Sequence, residues 1–189
     1  NALAEEIRAS GGICEPIVID MTSRASIREA LAKAQEALGT VQILVNNAGI
    51  PDAERAVKMS DELTDAVFDT NLIGPWVLSC EVAKTLIEQG LSGRIVNIAS
   101  VAAFNISGAI ASTLYSTTKS AVVRMTESHA VEWARNHINV NCIAPGLIKT
   151  DFARALWENP ETLKRATATT PLRRIGEPVE IAGAAVYLA

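Results

Sequence analysis

A chain of 189 residues is long enough for one domain with a full hydrophobic core. About half of it is apolar (49%) and a fifth is charged (20%), which excludes a disordered tail; aromatics reach only 4%, as when aliphatic helices pack on a buried parallel sheet. The net charge of -4 gives no basic field for nucleic acid, no apolar run is long enough to span a bilayer, and no signal-peptide pattern opens the chain, so the expected setting is cytoplasmic.

In chain order, Leu3, Ala4, Ile7 and Arg8 recur at helical spacing until Gly11-Gly12, which suits a helix C-terminal cap. Ile17-Val18-Ile19-Asp20 reads as a short strand ending in a carboxylate, and Ser26 with Glu29 reads as the capping box of a helix striped by Ile27, Ala30, Leu31, Ala34 and Leu38. Ile43-Leu44-Val45 is a continuous apolar strand that breaks into Asn46-Asn47-Ala48-Gly49. Ser60 caps a helix with Leu63 and Val67 inward, and after Asn71-Leu72-Ile73-Gly74-Pro75 a second helical stretch runs from Trp76 to about Gln89.

Arg94 to Ala99 forms a strand that delivers Ser100 at its C-terminal end, and a long helix covers about Leu114 to Arg135. Its Val122, Val123, Met125, Ala130, Val131 and Trp133 are apolar on more than one face, which suits burial on two sides. Val140-Asn141-Cys142-Ile143-Ala144 is the last strand, stopped by Pro145-Gly146; a polar, helix-prone segment fills 151–170, and Glu177-Pro178-Val179-Glu180 starts the closing helix. Strands alternating with helices predict an α/β fold, a parallel sheet covered on both faces. Asn1 opens inside a helical pattern and the closing helix runs uncapped to Ala189, so both ends are expected to cut through structure.

Cys14, Cys80 and Cys142 lie far apart without a CxxC pair, and His129 and His137 lack ligand spacing; neither a disulfide framework nor a metal site is expected. In a doubly wound sheet, ligands sit beyond the carboxyl ends of the strands. That rule selects Asp20, Asn46 to Gly49, Ser100 and Pro145 to Thr150. Tyr115 and Lys119 stand four apart on one helix face, where the ammonium is expected to lower the phenol's pKa and make it a proton donor or acceptor near neutral pH. Read singly, each has a plainer alternative: a surface pair for Tyr115 and Lys119, a turn serine bonding its own backbone for Ser100, a strand-ending turn for Pro145-Gly146.

Together, Asn46-Asn47-Ala48-Gly49, Asn71-Leu72-Ile73-Gly74, Ser100, Tyr115-Ser116-Thr117-Thr118-Lys119 and Pro145-Gly146-Leu147-Ile148-Lys149-Thr150 resemble the single-domain branch of the short-chain dehydrogenase/reductase family, in the family's order. The resemblance implies a Rossmann-type, three-layer α/β/α sheet and hydride transfer between NAD or NADP and a small alcohol or carbonyl substrate. Tyr115 would be the general acid or base, Lys119 would hold the nicotinamide ribose and keep the phenol acidic, Ser100 would hydrogen-bond the reacting oxygen, and Asn71 would hold a relay water. Asp20, with Met21 beside it, would meet the adenine; Asn47, Ala48 and Gly49 would pass the adenosine ribose; Ile148 and Thr150, following Pro145 and Gly146, would bind the carboxamide. It also implies a lid over the substrate at 151–170 with Phe152, Leu156 and Trp157, and a homodimer or homotetramer pairing the Trp76 and Tyr115 helices.

The family's glycine-rich phosphate turn does not occur in the sequence, nor does its final strand. The expected gap is the first two strands with their helix, on the order of 30 residues, and the 189-residue chain alone is expected to bind cofactor poorly. The residue ending the second strand, which separates NAD from NADP, is not in the sequence either. The alternatives are a non-catalytic relative that binds nucleotide or a partner, and the larger branch acting on nucleotide sugars. The loop 102–114, rich in small apolar residues, reads equally as a substrate-pocket wall or a flexible cover.

Overall fold

A computed structural model describes residues 2–52, 54–105 and 112–189. Three parallel strands, β1 (Ile43–Asn46), β2 (Gly93–Ile98) and β3 (Ile138–Ile143), form a sheet in the order β1-β2-β3, with Leu44 opposite Ile95 and Ile95 opposite Val140. Helices α1 (Ala2–Ala9) and α2 (Arg24–Leu38) precede the sheet. Between β1 and β2 come α3 (Asp61–Phe68) and α4 (Gly74–Gln89), and α5 (Thr113–Trp133) connects β2 to β3. After β3 follow the short α6 (Arg154–Trp157), α7 (Pro160–Thr167) and α8 (Pro178–Leu188). The α/β class and the parallel sheet are as the sequence predicts.

The core lies where α4 and α5 meet one sheet face: Val82, Ala83 and Leu86 from α4, Trp133 from α5, and Ile95, Ile138 and Val140 from the strands. Successive strand residues alternate faces, so Asn97 shares the face of Ile95. A buried polar chain runs along it, with the Asn46 amide donating to Ser79 Oγ (2.9 Å) and Asn97 Oδ1 (2.7 Å), and the Asn97 amide to Thr126 Oγ1 (2.9 Å). Directional hydrogen bonds in a low-dielectric interior favour one register of the elements that carry them, although Asn46 Oδ1 has no partner among the described residues. Helix α8 lies against β2 and β3, and its Ile181, Ala182 and Ala185 share a cavity wall with Ile98.

Four expectations are corrected. Residues 17–20 are not a strand: the segment has no regular structure and makes no ladder, and Val18 is 94% exposed. A strand exists only by pairing, and no described strand lies beside it. The cap of α2 is Ser23, whose hydroxyl accepts from Ser26 N; Ser26 Oγ instead accepts from Asp20 N (2.9 Å), and Glu29 pairs with Lys33. No break separates the helices around Asn71, because a π-helical turn at Asp69–Ile73 carries α3 straight into α4. The fourth, the acidity of Tyr115, belongs to the site. The glycine caps stand: Gly12 N bonds Ile7 O with Gly11 at φ 88°, and Gly90 is left-handed after α4.

Candidate active site

The carboxyl ends of the strands open on a cavity of about 650 Å³. Its wall includes Asn47, Ala48 and Gly49 after β1, Ser100 after β2, Tyr115 and Lys119 from α5, and Pro145, Gly146, Ile148 and Thr150 after β3. Segments far apart in sequence therefore converge because parallel strands all end on the same side. Asn71 sits just beneath this wall, 1% exposed, in the π turn that ends α3. Its Oδ1 accepts from Ile50 N (2.8 Å) and its Nδ2 donates to Ile50 O (2.9 Å), clamping the strand-end loop. Asp20 and Met21 are not in the wall: the exposed Asp20 carboxylate bonds Thr22, and Met21 packs over Gly74.

Ser100 is held in extended backbone with its Oγ accepting from Ala102 N (3.1 Å), which leaves the hydroxyl a proton to donate. The self-bonding turn serine and the substrate-facing serine are thus one geometry. Lys119 is 5% exposed; its Nζ donates to Ile98 O (2.7 Å) and lies 5.6 Å from the Tyr115 ring centroid. Burial lowers its pKa to about 8. Tyr115 runs against the sequence expectation, since its pKa is raised, first by burial; a hydrogen bond with Ser100 opposes this, and the nearby Asp52 charge adds to it. The ammonium does not acidify the phenol in this arrangement because it is turned to the Ile98 carbonyl.

The residues fit a nicotinamide nucleotide. A Cβ at Gly49 would stand in contact with Asn71 Oδ1 (3.4 Å) and Lys119 Nζ (3.5 Å), so the bare backbone there lets the wall lie close to both, whereas Gly146 borders open space, with nothing within 4 Å of a Cβ. Lys119 has three donors, of which one serves Ile98, leaving two for hydroxyls. Among the described residues no cluster of His, Cys, Asp or Glu suits a metal, and no helix is long and apolar enough to cross a membrane.

Phe152, expected in the lid over the substrate, borders the cavity, and α8 contributes to it without a clear signal in the sequence. Phe152 stacks tilted on Tyr115 with centroids 5.8 Å apart, and Ile181, Ala182 and Ala185 of α8 line the cavity. The bridge between Ile148 and Gly176 brings α8 there, with Lys149 N bonding Gly176 O (2.9 Å). Asn46, selected with Asn47 to Gly49, lies inside the sheet face and not in the wall, and its partner Asn97 could have been found as an amide in an otherwise apolar strand. Residues 106–111 of the loop 102–114, read equally as a substrate-pocket wall or a flexible cover, lie outside the described residues.

Crossover connections between parallel strands, with hydroxyl, phenol and ammonium gathered at their carboxyl ends, define a nucleotide-dependent oxidoreductase of Rossmann type. A family profile described as enoyl-(acyl carrier protein) reductase matches residues 1–189. The oxidoreductase UcpA of Escherichia coli O157:H7 is 36% identical, over 99% of this chain and 73% of its own length. The 2-dehydro-3-deoxy-D-gluconate 5-dehydrogenase of Dickeya dadantii is 37% identical over 98% of this chain and 72% of its own. The crystal structure of a gluconate 5-dehydrogenase from Burkholderia cenocepacia J2315, in complex with NADP and tartrate, superposes with a TM-score of 0.92 at 32% identity, over 100% of this chain and 72% of that one. The chain belongs to the short-chain dehydrogenase/reductase family, NAD(P)-dependent oxidoreductases acting on CH–OH groups.

Proposed function

We propose that this chain moves hydride between NAD or NADP and a small alcohol or carbonyl compound, with Tyr115 as general acid in reduction and general base in oxidation. The observation that carries the reading is the convergence of Ser100, Tyr115 and Lys119 on one cavity bordered by the bare backbone of Gly49 and Gly146. The nicotinamide, when bound, supplies or accepts the hydride. Ser100, whose hydroxyl accepts from Ala102 N and hydrogen-bonds Tyr115, turns its hydrogen-bond donor to the substrate oxygen and so stabilises charge there. Tyr115 transfers the proton to or from that oxygen, and Lys119 holds ribose hydroxyls with its remaining donors. Asn71, by clamping Ile50, keeps Asn47, Ala48 and Gly49 against the nucleotide, and Ile148 and Thr150 hold the carboxamide. Asp20 and Met21 serve the adenine from outside the described cavity.

Relatives named for gluconate derivatives make a sugar acid or polyol the first class to test, and Phe152, Ile181 and Ala185 give one wall of the cavity an apolar character that suits a carbon chain. The exposed Trp76 of α4 and Val131 of α5 support pairing of these helices in a homodimer or homotetramer. The decisive experiment is Tyr115→Phe in the protein expressed from its native open reading frame, assayed for NAD(P)-linked oxidation of D-gluconate and a panel of polyols. The expected loss is about a thousandfold with melting unchanged; wild-type turnover by the variant would overturn the role of Tyr115.

A further inference from the structure

Helix α5, which carries both Tyr115 and Lys119, has a formal N-cap, Ser112, whose side chain makes no capping bond. Its first N–H groups are satisfied from elsewhere. Asp52 Oδ2 accepts from Leu114 N (2.9 Å) and from Tyr115 N (3.2 Å), reaching across more than sixty positions of sequence. The Asp52 residue is 7% exposed, and among the described residues its buried Oδ1 has no hydrogen-bond partner. A buried carboxylate with one oxygen unmatched is expensive to hold, and the positive end of a helix dipole offsets part of that cost.

Asp52 is itself held in place. Two residues upstream, Ile50 is gripped through both N–H and C=O by Asn71. Asn71 in turn donates to Thr118 Oγ1 (3.3 Å), one turn along α5. The loop that follows Gly49 is therefore fastened to α5 at two points, by Asn71 at Thr118 and by Asp52 at Tyr115.

We propose that Asp52 is a positioning residue for the reaction, capping α5 from the loop after β1 and so fixing the direction of the Tyr115 phenol relative to the Asn47–Gly49 wall. The proposal rests on the reading of Tyr115 as general acid or base. A second consequence comes from charge. Among the described residues, the ionisable groups facing Tyr115 are Lys119 from its own helix and Asp52 from the loop after β1; Ser100 after β2 and Phe152 after β3 are uncharged. Lys119 is turned to Ile98 O, so the Asp52 carboxylate opposes phenolate and keeps the proton on Tyr115 to higher pH.

Asn and Ala separate the two effects, because an Asn side-chain oxygen still accepts from Leu114 N and Tyr115 N while the charge is gone. The test uses the protein expressed from its native open reading frame, its tyrosines labelled with 13C at Cζ, and Tyr115→Phe to assign the Tyr115 signal. The expected result is a Tyr115 titration midpoint lower by about half a unit or more in Asp52→Asn, with melting little changed. The pH profile of D-gluconate or polyol oxidation should move the same way. Asp52→Ala, where it folds, should lower kcat about tenfold or more with KM little changed, and Asp52→Asn should recover most of that loss. An unmoved Tyr115 midpoint in Asp52→Asn, or an Asp52→Ala variant that loses melting temperature but no kcat, would reduce Asp52 to a structural cap and overturn the proposal. Wild-type turnover by Tyr115→Phe is a different failure, of the general-acid reading, and the two are told apart because the Tyr115 midpoint is read without turnover.

Discussion

The two faces of the sheet differ although their residues are of one kind. On the face covered by α4 and α5, Val82, Leu86 and Ile95 are fully buried, and a chain of side-chain hydrogen bonds runs from Asn46 through Asn97 to Thr126. On β1, by contrast, Ile43 is 52% and Val45 43% exposed, and the nearby irregular segment leaves Ile13 86% and Val18 94% exposed. Burial follows from partners and not from composition: an aliphatic side chain with no element over it contributes none of its transfer free energy. The candidate site straddles the difference. Ser100, Tyr115 and Lys119 are set by the sealed side, whereas Asn47 and Ala48 stand exposed at the end of the half-covered strand.

The contrast can be broken, and the largest effect should come at the boundary. Lys119→Met is expected to lower turnover about a hundredfold or more. It should also raise stability at pH 7 by about 1 kcal/mol, because Lys119 is a desolvated ammonium whose pKa has fallen to about 8. The sign follows from linkage. Between pH 8 and 10.5 the unfolded lysine keeps its proton while the folded one has lost it, so the wild type gains stability as pH rises through that window and the variant does not. Thermal melts from pH 7 to 10 check this, and a destabilised Met variant at pH 7 would contradict it.

Next in size is a pair of truncations. Leu86 fills the space over Gly93, where a Cβ would come within 2.4 Å of its Cδ1, so Leu86→Ala should cost about 3 kcal/mol in denaturant unfolding. Ile43→Ala on the open side should cost under about 0.5 kcal/mol. Equal costs would show that the open face is covered in solution. The same openness predicts that the 189-residue chain alone, titrated with NADH or NADPH, shows no submicromolar isotherm, and a clean one would refute it.

The smallest effect concerns His129, which stacks on Trp133 (centroids 4.1 Å apart) and lies 4.7 Å from Trp76, both ring nitrogens buried and without partners among the described residues. Burial lowers its pKa, with Glu132 opposing. The unfolded chain therefore binds the proton first, and stability should fall as pH drops below 6.5. His129→Leu should flatten that limb in melts from pH 7 to 5, and an unchanged limb would contradict the assignment.

The sequence made the paired strands legible because short, mostly apolar runs alternate with helical patterns, and the stretches that the strand-end rule selected at Ser100, Asn47–Gly49 and Pro145–Thr150 come together along one cavity. Residues 17–20 read as a strand on the same grounds, yet periodicity reports what a segment can bury and not whether a neighbour is present to pair with it. The acidity of Tyr115 was misjudged for a related reason. Spacing puts Lys119 within reach of the phenol, but the Ile98 carbonyl competes for the ammonium, and a carbonyl has no side chain to announce it. Asp52 was invisible because its partners are backbone groups more than sixty positions away.

The π turn at Asp69–Ile73 has a consequence for how such a chain tolerates change. A π turn amounts to one residue inserted into an α-helix, kept because it aims a particular side chain, here Asn71 toward Ile50. Losing a single residue between 69 and 73 would heal the helix into regular α geometry, a gain in local backbone bonding. It would also swing α3 about 100° around its axis relative to α4 and carry Asn71 away from the loop. In evolutionary terms, the segment is a place where a deletion would improve the helix and disable the enzyme.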